Sequence, residues 1–144
     1  EIRKLDGYFM EHGENVDLFV YIKQHHDIQD LAILALIFCP DFTEKDGFIY
    51  LSELYSPETV DQWYEKLNNY SEVQRIVNHI HLDDFLTYSE SADDEIYSTF
   101  LNLCVKIKAC WTGILLVKFP ALKFQVTLEY DSDGYDPVIT FFQV

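Results

Sequence analysis

"KFQVTLEYDSDGYDPVITFFQV", residues 123–144, decides the fold class. Phe124, Val126, Leu128 and Tyr130 alternate with Gln125, Thr127 and Glu129, the period-two pattern of a strand with one buried face. "DSDGYDP" then supplies turn residues, and "VITFFQV" is rich in the β-branched and aromatic residues that strands favour. The stretch predicts a β-hairpin with a long turn and excludes an all-helical chain.

Working back from the hairpin, Pro120 stops a long helix whose face is traced by Ile96, Phe100, Leu103, Ile107, Trp111 and Leu115. Ser91 and Asp94 form its capping signature. Asp93, Asp94 and Glu95 lie at its positive end, with Lys106, Lys108 and Lys118 further on, as the helix dipole favours. Earlier still, Ser71 and Gln74 have capping-box spacing, and Val73, Ile76, Val77 and Ile80 predict a helix running through Ile80. "SPETVDQWYEKL" at 56–67 places Ser56 at an N-cap, Pro57 at the first helical position, and Val60, Trp63, Tyr64 and Leu67 on one face. Asp46-Gly47 is a turn signal before a short strand, Phe48 to Leu51. Asp27 caps an apolar segment that runs to Pro40, hydrophobic on nearly all sides and so expected to be the most buried helix; Asn15 caps a first helix. The order is α-α-β-α-α-α-β-β: an α+β chain of about five helices packed on a small, mainly antiparallel sheet with a C-terminal β-hairpin. No repeat or linker divides residues 1–144, which are expected to form a single domain.

Half the residues are hydrophobic and the net charge is −15, so the charge belongs to a folded surface rather than to a disordered acidic chain. Residues 1–95 hold 21 acids and 6 bases, whereas residues 96–128 hold 4 lysines and no acid. A field of that sign repels nucleic-acid phosphates and anionic lipid headgroups and steers a basic protein inward. The longest unbroken apolar run, "LAILALIFC" at 31–39, is about half a membrane span, so no transmembrane segment is expected. Cys39, Cys104 and Cys110 are odd in number and lack framework spacing, which points to reduced, buried thiols in a cytoplasm.

"NHIHLDD", residues 78–84, is the densest cluster of metal-ligating residue types. His79, His81, Asp83 and Asp84 resemble the HxHxDH stretch of metallo-β-lactamase-type hydrolases, but Asp84 stands where that pattern has histidine, and no histidine follows His81. On a helix, residues two apart diverge by about 200° and cannot share an ion; on an extended chain, His79, His81 and Asp83 would share a face and could chelate. With the helix predicted to reach Ile80, the histidines are expected at a helix end, hydrogen-bonded or solvated, and no metal or other cofactor is assigned.

Other motifs carry less. "HHD" at 25–27 contains a His-Asp pair like that of HD phosphohydrolases, with His12 and Asp83 as conceivable outer ligands, but that site needs an all-helical scaffold, and Asp27 already caps a helix. "DSDGYD" begins like a calcium loop, yet Gly134 is fourth rather than sixth and Phe142 stands at position twelve. No histidine neighbours Cys104 or Cys110 to activate a thiol, and there is no G-x-S-x-G or phosphate-cradling glycine loop. No residue is assigned a catalytic role.

"FCPDFTEKDGFIYL", "NHIHLDD" and the closing "FPALKFQV…VITFFQ" together resemble a group of small uncharacterised bacterial proteins over roughly residues 30 to 144. The resemblance implies an α+β domain of bacterial origin and lends no activity to any residue. The functional expectation is a non-catalytic acidic domain that docks on a basic protein, as immunity proteins do against nuclease toxins. Its surface would be Asp83, Asp84, Glu90, Asp93, Asp94 and Glu95, a run uninterrupted by any base. The alternative is a metal-dependent hydrolase built on His79, His81 and Asp83.

Overall fold

The computed structural model describes residues 3–12, 17–84, 86, 94–130 and 136–144. The chain falls into two compact units, Glu1–Leu36 and Ile37–Val144.

The first unit contains α1 (Arg3–His12), α2 (Leu18–His25) and most of α3 (Ile28–Phe38). Tyr8 and Tyr21 are buried in edge-to-face contact, with centroids 4.9 Å apart, and His25 stacks on Tyr21 at 4.3 Å. Asp17 caps α2 by accepting from the Val20 N–H at 3.0 Å, where the sequence suggested Asn15, which lies outside the described residues. Asp27 caps α3 as expected, accepting from Gln29 and Asp30 at 2.8 and 2.9 Å. The expectation that α3 is the most buried helix is wrong: none of its residues is buried. Apolarity on every side sets how much surface a helix can bury, not how much it meets. Ile37 and Phe38, at the end of α3, belong to the second unit and pack against its core.

The second unit opens with a hairpin, β1 (Phe42–Lys45) and β2 (Phe48–Leu51), in which Lys45 pairs with Phe48 across the two-residue turn. Asp46 and Gly47 have φ of 54° and 82°; two successive left-handed residues match the right-handed twist of the flanking strands. The sequence reading found β2 and this turn but not β1. Helix α4 (Pro57–Leu67) is capped by Ser56, whose hydroxyl accepts from the Thr59 N–H at 3.3 Å, and ends at left-handed Asn68. Helix α5 (Tyr70–Val77) is capped by Asn69, not by the predicted Ser71–Gln74 box. The Ser71 hydroxyl instead donates to the Gln143 carbonyl, and Gln74 is fully buried.

Strand β3 (Ile80–His81), a 3₁₀ turn at Leu82–Asp84, α6 (Asp94–Lys118), β4 (Phe124–Glu129) and β5 (Val138–Gln143) complete the unit. The antiparallel sheet has order β3-β5-β4. Among the described residues, six helices and two small antiparallel sheets, with a C-terminal strand pair, make the fold α+β. Phe100, Cys104, Ile107, Trp111 and Leu115 of α6 form the main core with Ile49, Leu51, Leu82, Ile139 and Phe141. By length and composition α6 is also long and apolar enough to cross a membrane. Lys106 and Lys108 interrupt its apolar sequence, so it contains no long unbroken apolar run. A second cluster gathers Tyr50, Val60, Val73 and Val77.

Three side-chain amides join β2 to β5. Asn78 accepts from the Leu51 N–H at 2.9 Å and donates to the Ile49 and Phe141 carbonyls, both at 3.2 Å. Gln74 donates to Ile49 O at 2.8 Å and to the Gln143 side chain at 2.7 Å, and accepts from the Gln143 N–H at 2.9 Å. Gln143 accepts from the Ile49 N–H at 2.9 Å. β3 covers only Val138 and Ile139 of β5, and these amides serve the strand beyond it.

Candidate functional site

The site begins where α5 stops. Asn78 closes that helix with its N–H on the Gln74 carbonyl at 2.8 Å, while its side chain is held by β2 and β5. The chain cannot continue winding around a residue anchored in this way, so it extends. Ile80 pairs with Ile139, and His81 with Val138. This overturns the expectation that the coil reaches Ile80. Extended backbone brings residues two apart to one face, and the imidazoles of His79 and His81 converge, with centroids 4.8 Å and Nε2 atoms 3.0 Å apart.

Asp136 approaches from the start of β5. Its φ of 49° is a left-handed conformation that aspartate tolerates better than most residues. Buried Pro137 follows it and accepts from the Leu82 N–H at 2.8 Å. The Asp136 carboxylate lies 2.7 and 2.9 Å from His81 Nδ1. An ionised carboxylate only accepts, so His81 Nδ1 carries the hydrogen and its Nε2 faces His79. Ligand atoms of His81, Asp83 and Asp136 all lie within 4.8 Å of one another.

The electrostatics follow from these contacts. The hydrogen bond to Asp136 raises the His81 pKa above its ordinary value, with smaller contributions from the charges of Asp136, Asp84 and Asp83. The same bond to His81 lowers the Asp136 pKa. Desolvation first, and a hydrogen bond to Asp136 second, raise that of Asp83. Of the two carboxyls, Asp83 is the one that holds a proton more readily.

Two imidazole nitrogens facing each other hold one proton or one cation between them. Nitrogens each about 2.0–2.1 Å from a tetrahedral zinc stand about 3.3 Å apart, close to the separation here. His81 also has the carboxylate behind its far nitrogen that fixes the tautomer of a metal-binding histidine. The donor set suits a borderline transition-metal ion better than calcium or magnesium, which prefer all-oxygen shells.

Four of the six residues expected to form an acidic docking surface lie among the described residues. Asp83 belongs to the His-Asp cluster, Asp84 is exposed in the 3₁₀ turn, and Asp94 and Glu95 are exposed in the first turn of α6. Glu90 and Asp93 lie outside the described residues, as do Asp131, Asp133 and Gly134 of the calcium-like motif. Asp136 was missed as a partner for the histidines because its proximity depends on the β3–β5 register, for which neither segment carries a local signal. Of the cysteines, only Cys104 is buried, and burial pushes its thiol up to about 11; Cys39 and Cys110 are exposed, contrary to expectation. Comparison with family models, with curated proteins and with solved structures finds no match to this chain.

Proposed function

We propose that this chain binds a divalent transition-metal ion, with His79 and His81 as nitrogen ligands and Asp136 orienting His81. One observation carries the reading: the 3.0 Å approach of two Nε2 atoms, with the far nitrogen of one ring tied to a carboxylate. Few protein ligands at a surface site leave coordination positions for water, so metal-assisted hydrolysis is the activity to assay. Titration of metal-free protein with Zn²⁺ or Co²⁺ should show one saturable site, with a tetrahedral or five-coordinate cobalt spectrum that His81→Ala abolishes. Absence of stoichiometric binding would end the reading.

A second reading is favoured by charge. Asp84, Asp94 and Glu95 are exposed on a chain of net charge −15, which supports docking of a basic protein in a non-catalytic, immunity-like role. Three unpaired cysteines fit a reducing, cytoplasmic setting for that role. Capture of the partner should weaken steeply with added salt; capture indifferent to salt would exclude it.

A further inference from the structure

The second core cluster is bordered by a concentration of aromatic rings that neither the metal site nor the main core uses. Tyr70 is stacked on both sides, by Phe48 at 4.2 Å and by Tyr64 at 4.1 Å, with interplanar angles of 19° and 22°. Tyr55 lies 5.7 Å from Tyr50. Phe48, Tyr55, Tyr64 and Tyr70 all remain partly exposed. Tyr50 is fully buried, and among the described residues its hydroxyl has no hydrogen-bond partner. Asp46 lies in the turn two residues before Phe48, and Asp61 of α4 pairs with Lys45, the cross-strand partner of Phe48, which places these carboxylates beside the aromatic stack.

This neighbourhood already accepts cations. Lys45 pairs with Asp61, and the Lys66 ammonium stands 4.7 Å above the Trp63 ring. Asp46, Glu58, Asp61 and Glu65 are exposed around it. Tyrosine and tryptophan give a binding face large contact area at low entropic cost. A guanidinium can lie flat on such rings while its fork engages a carboxylate, which an ammonium cannot do.

We propose that the face formed by Phe48, Tyr55, Tyr64 and Tyr70 with Asp46 and Asp61 docks an arginine-rich segment of a basic protein. The proposal rests on the second reading above and relocates its contact surface, from the acids around residues 83–95 to the β1–β2 turn, α4 and the start of α5. Local and overall charge act in the same direction, since the whole chain attracts a basic partner and this face adds stacking.

The test titrates the full chain with a nona-arginine peptide by calorimetry, beside nona-lysine and two double variants, Asp46→Asn with Asp61→Asn and Asp84→Asn with Asp94→Asn. Thermal melts confirm that each variant is folded. The expected result is saturable binding, at least about threefold tighter for arginine than lysine, and weakened about tenfold by the first variant but not the second. Loss confined to the second variant would overturn the proposed location and leave the second reading standing. Equal losses, or equal affinity for both peptides, would reduce the attraction to net charge and overturn the proposal. No binding at all would defeat both.

Discussion

His81 Nδ1 lies 2.7 Å from an oxygen of Asp136, although 55 residues separate them in the chain. The contact crosses the β3–β5 pairing and fixes which imidazole nitrogen is free to meet His79. Asp136→Asn keeps the shape but removes the charge that selects the tautomer. Its Zn²⁺ affinity should fall about ten- to a hundredfold, read by competition with a chromophoric chelator, while the melting curve of the metal-free protein stays near that of the parent. An unchanged affinity would mean that Asp136 plays no part in holding the ion.

Loading an ion between the two rings must expel the proton they share. For one displaced proton, the apparent affinity should drop about tenfold per pH unit on the acid side. Because Asp136 raises the His81 pKa, the drop should begin at a higher pH than for an unperturbed histidine. Affinity that is flat between neutral and mildly acidic pH would exclude the imidazoles as ligands.

Asn78 is fully buried and serves three backbone groups. Asn78→Ala leaves the Leu51 N–H and the Phe141 carbonyl without that partner and should cost about 3 kcal/mol or more, since each unsatisfied buried group costs about 1–3. Asn78→Asp keeps the acceptor for Leu51 but turns a carboxylate toward the Ile49 and Phe141 carbonyls. It should be worse than alanine at neutral pH and recover in part on acidification. Urea denaturation at two pH values checks both.

Two glycines with open space around a would-be Cβ predict opposite outcomes. Gly47 has φ of 82° in the hairpin turn, so Gly47→Ala should destabilise by about 1–2 kcal/mol on conformation alone. Gly113 is exposed inside α6, and Gly113→Ala should stabilise by about 0.5–1 kcal/mol. Thermal or urea melts of the two variants measure the signs.

The three thiols should separate into two classes. Cys39 and Cys110 should react with a thiol reagent in the folded protein, and Cys104 only after unfolding. The folded chain binds the Cys104 proton more tightly than the unfolded chain does. Its stabilising contribution is therefore whole below the ordinary value of 9.0 and is lost as pH rises from there to about 11. Native protein that reacts at all three sites would contradict the packing of α6.

What could be read in advance was whatever depends on neighbours within a turn or two. The Ser56-Pro57 start of α4, the Asp27 cap, the Asp46-Gly47 turn and the β4–β5 alternation are all local signals. So is the α6 stripe, of which Phe100, Ile107, Trp111 and Leu115 are buried while Ile96 is not. The misreading of residues 78–81 has a particular cause. Ile80 satisfies both the helical period from Val73 and the alternation of an extended strand, and only the capture of the Asn78 amide by β2 and β5 decides between them. Local periodicity contains no trace of that event. For the same reason local spacing alone points the two histidines apart and places Asp136 in the turn.

The amides of Gln74, Asn78 and Gln143 also determine what the protein leaves open to other molecules. Beyond Ile139, β5 presents a strand edge that β3 is too short to cover, and β2 presents another; the three side chains occupy the hydrogen-bonding groups of both. Unfilled, such edges are templates for strands from neighbouring chains. A variant stripped of these amides should therefore fail on warming by forming insoluble, β-rich assemblies, where the parent would simply melt.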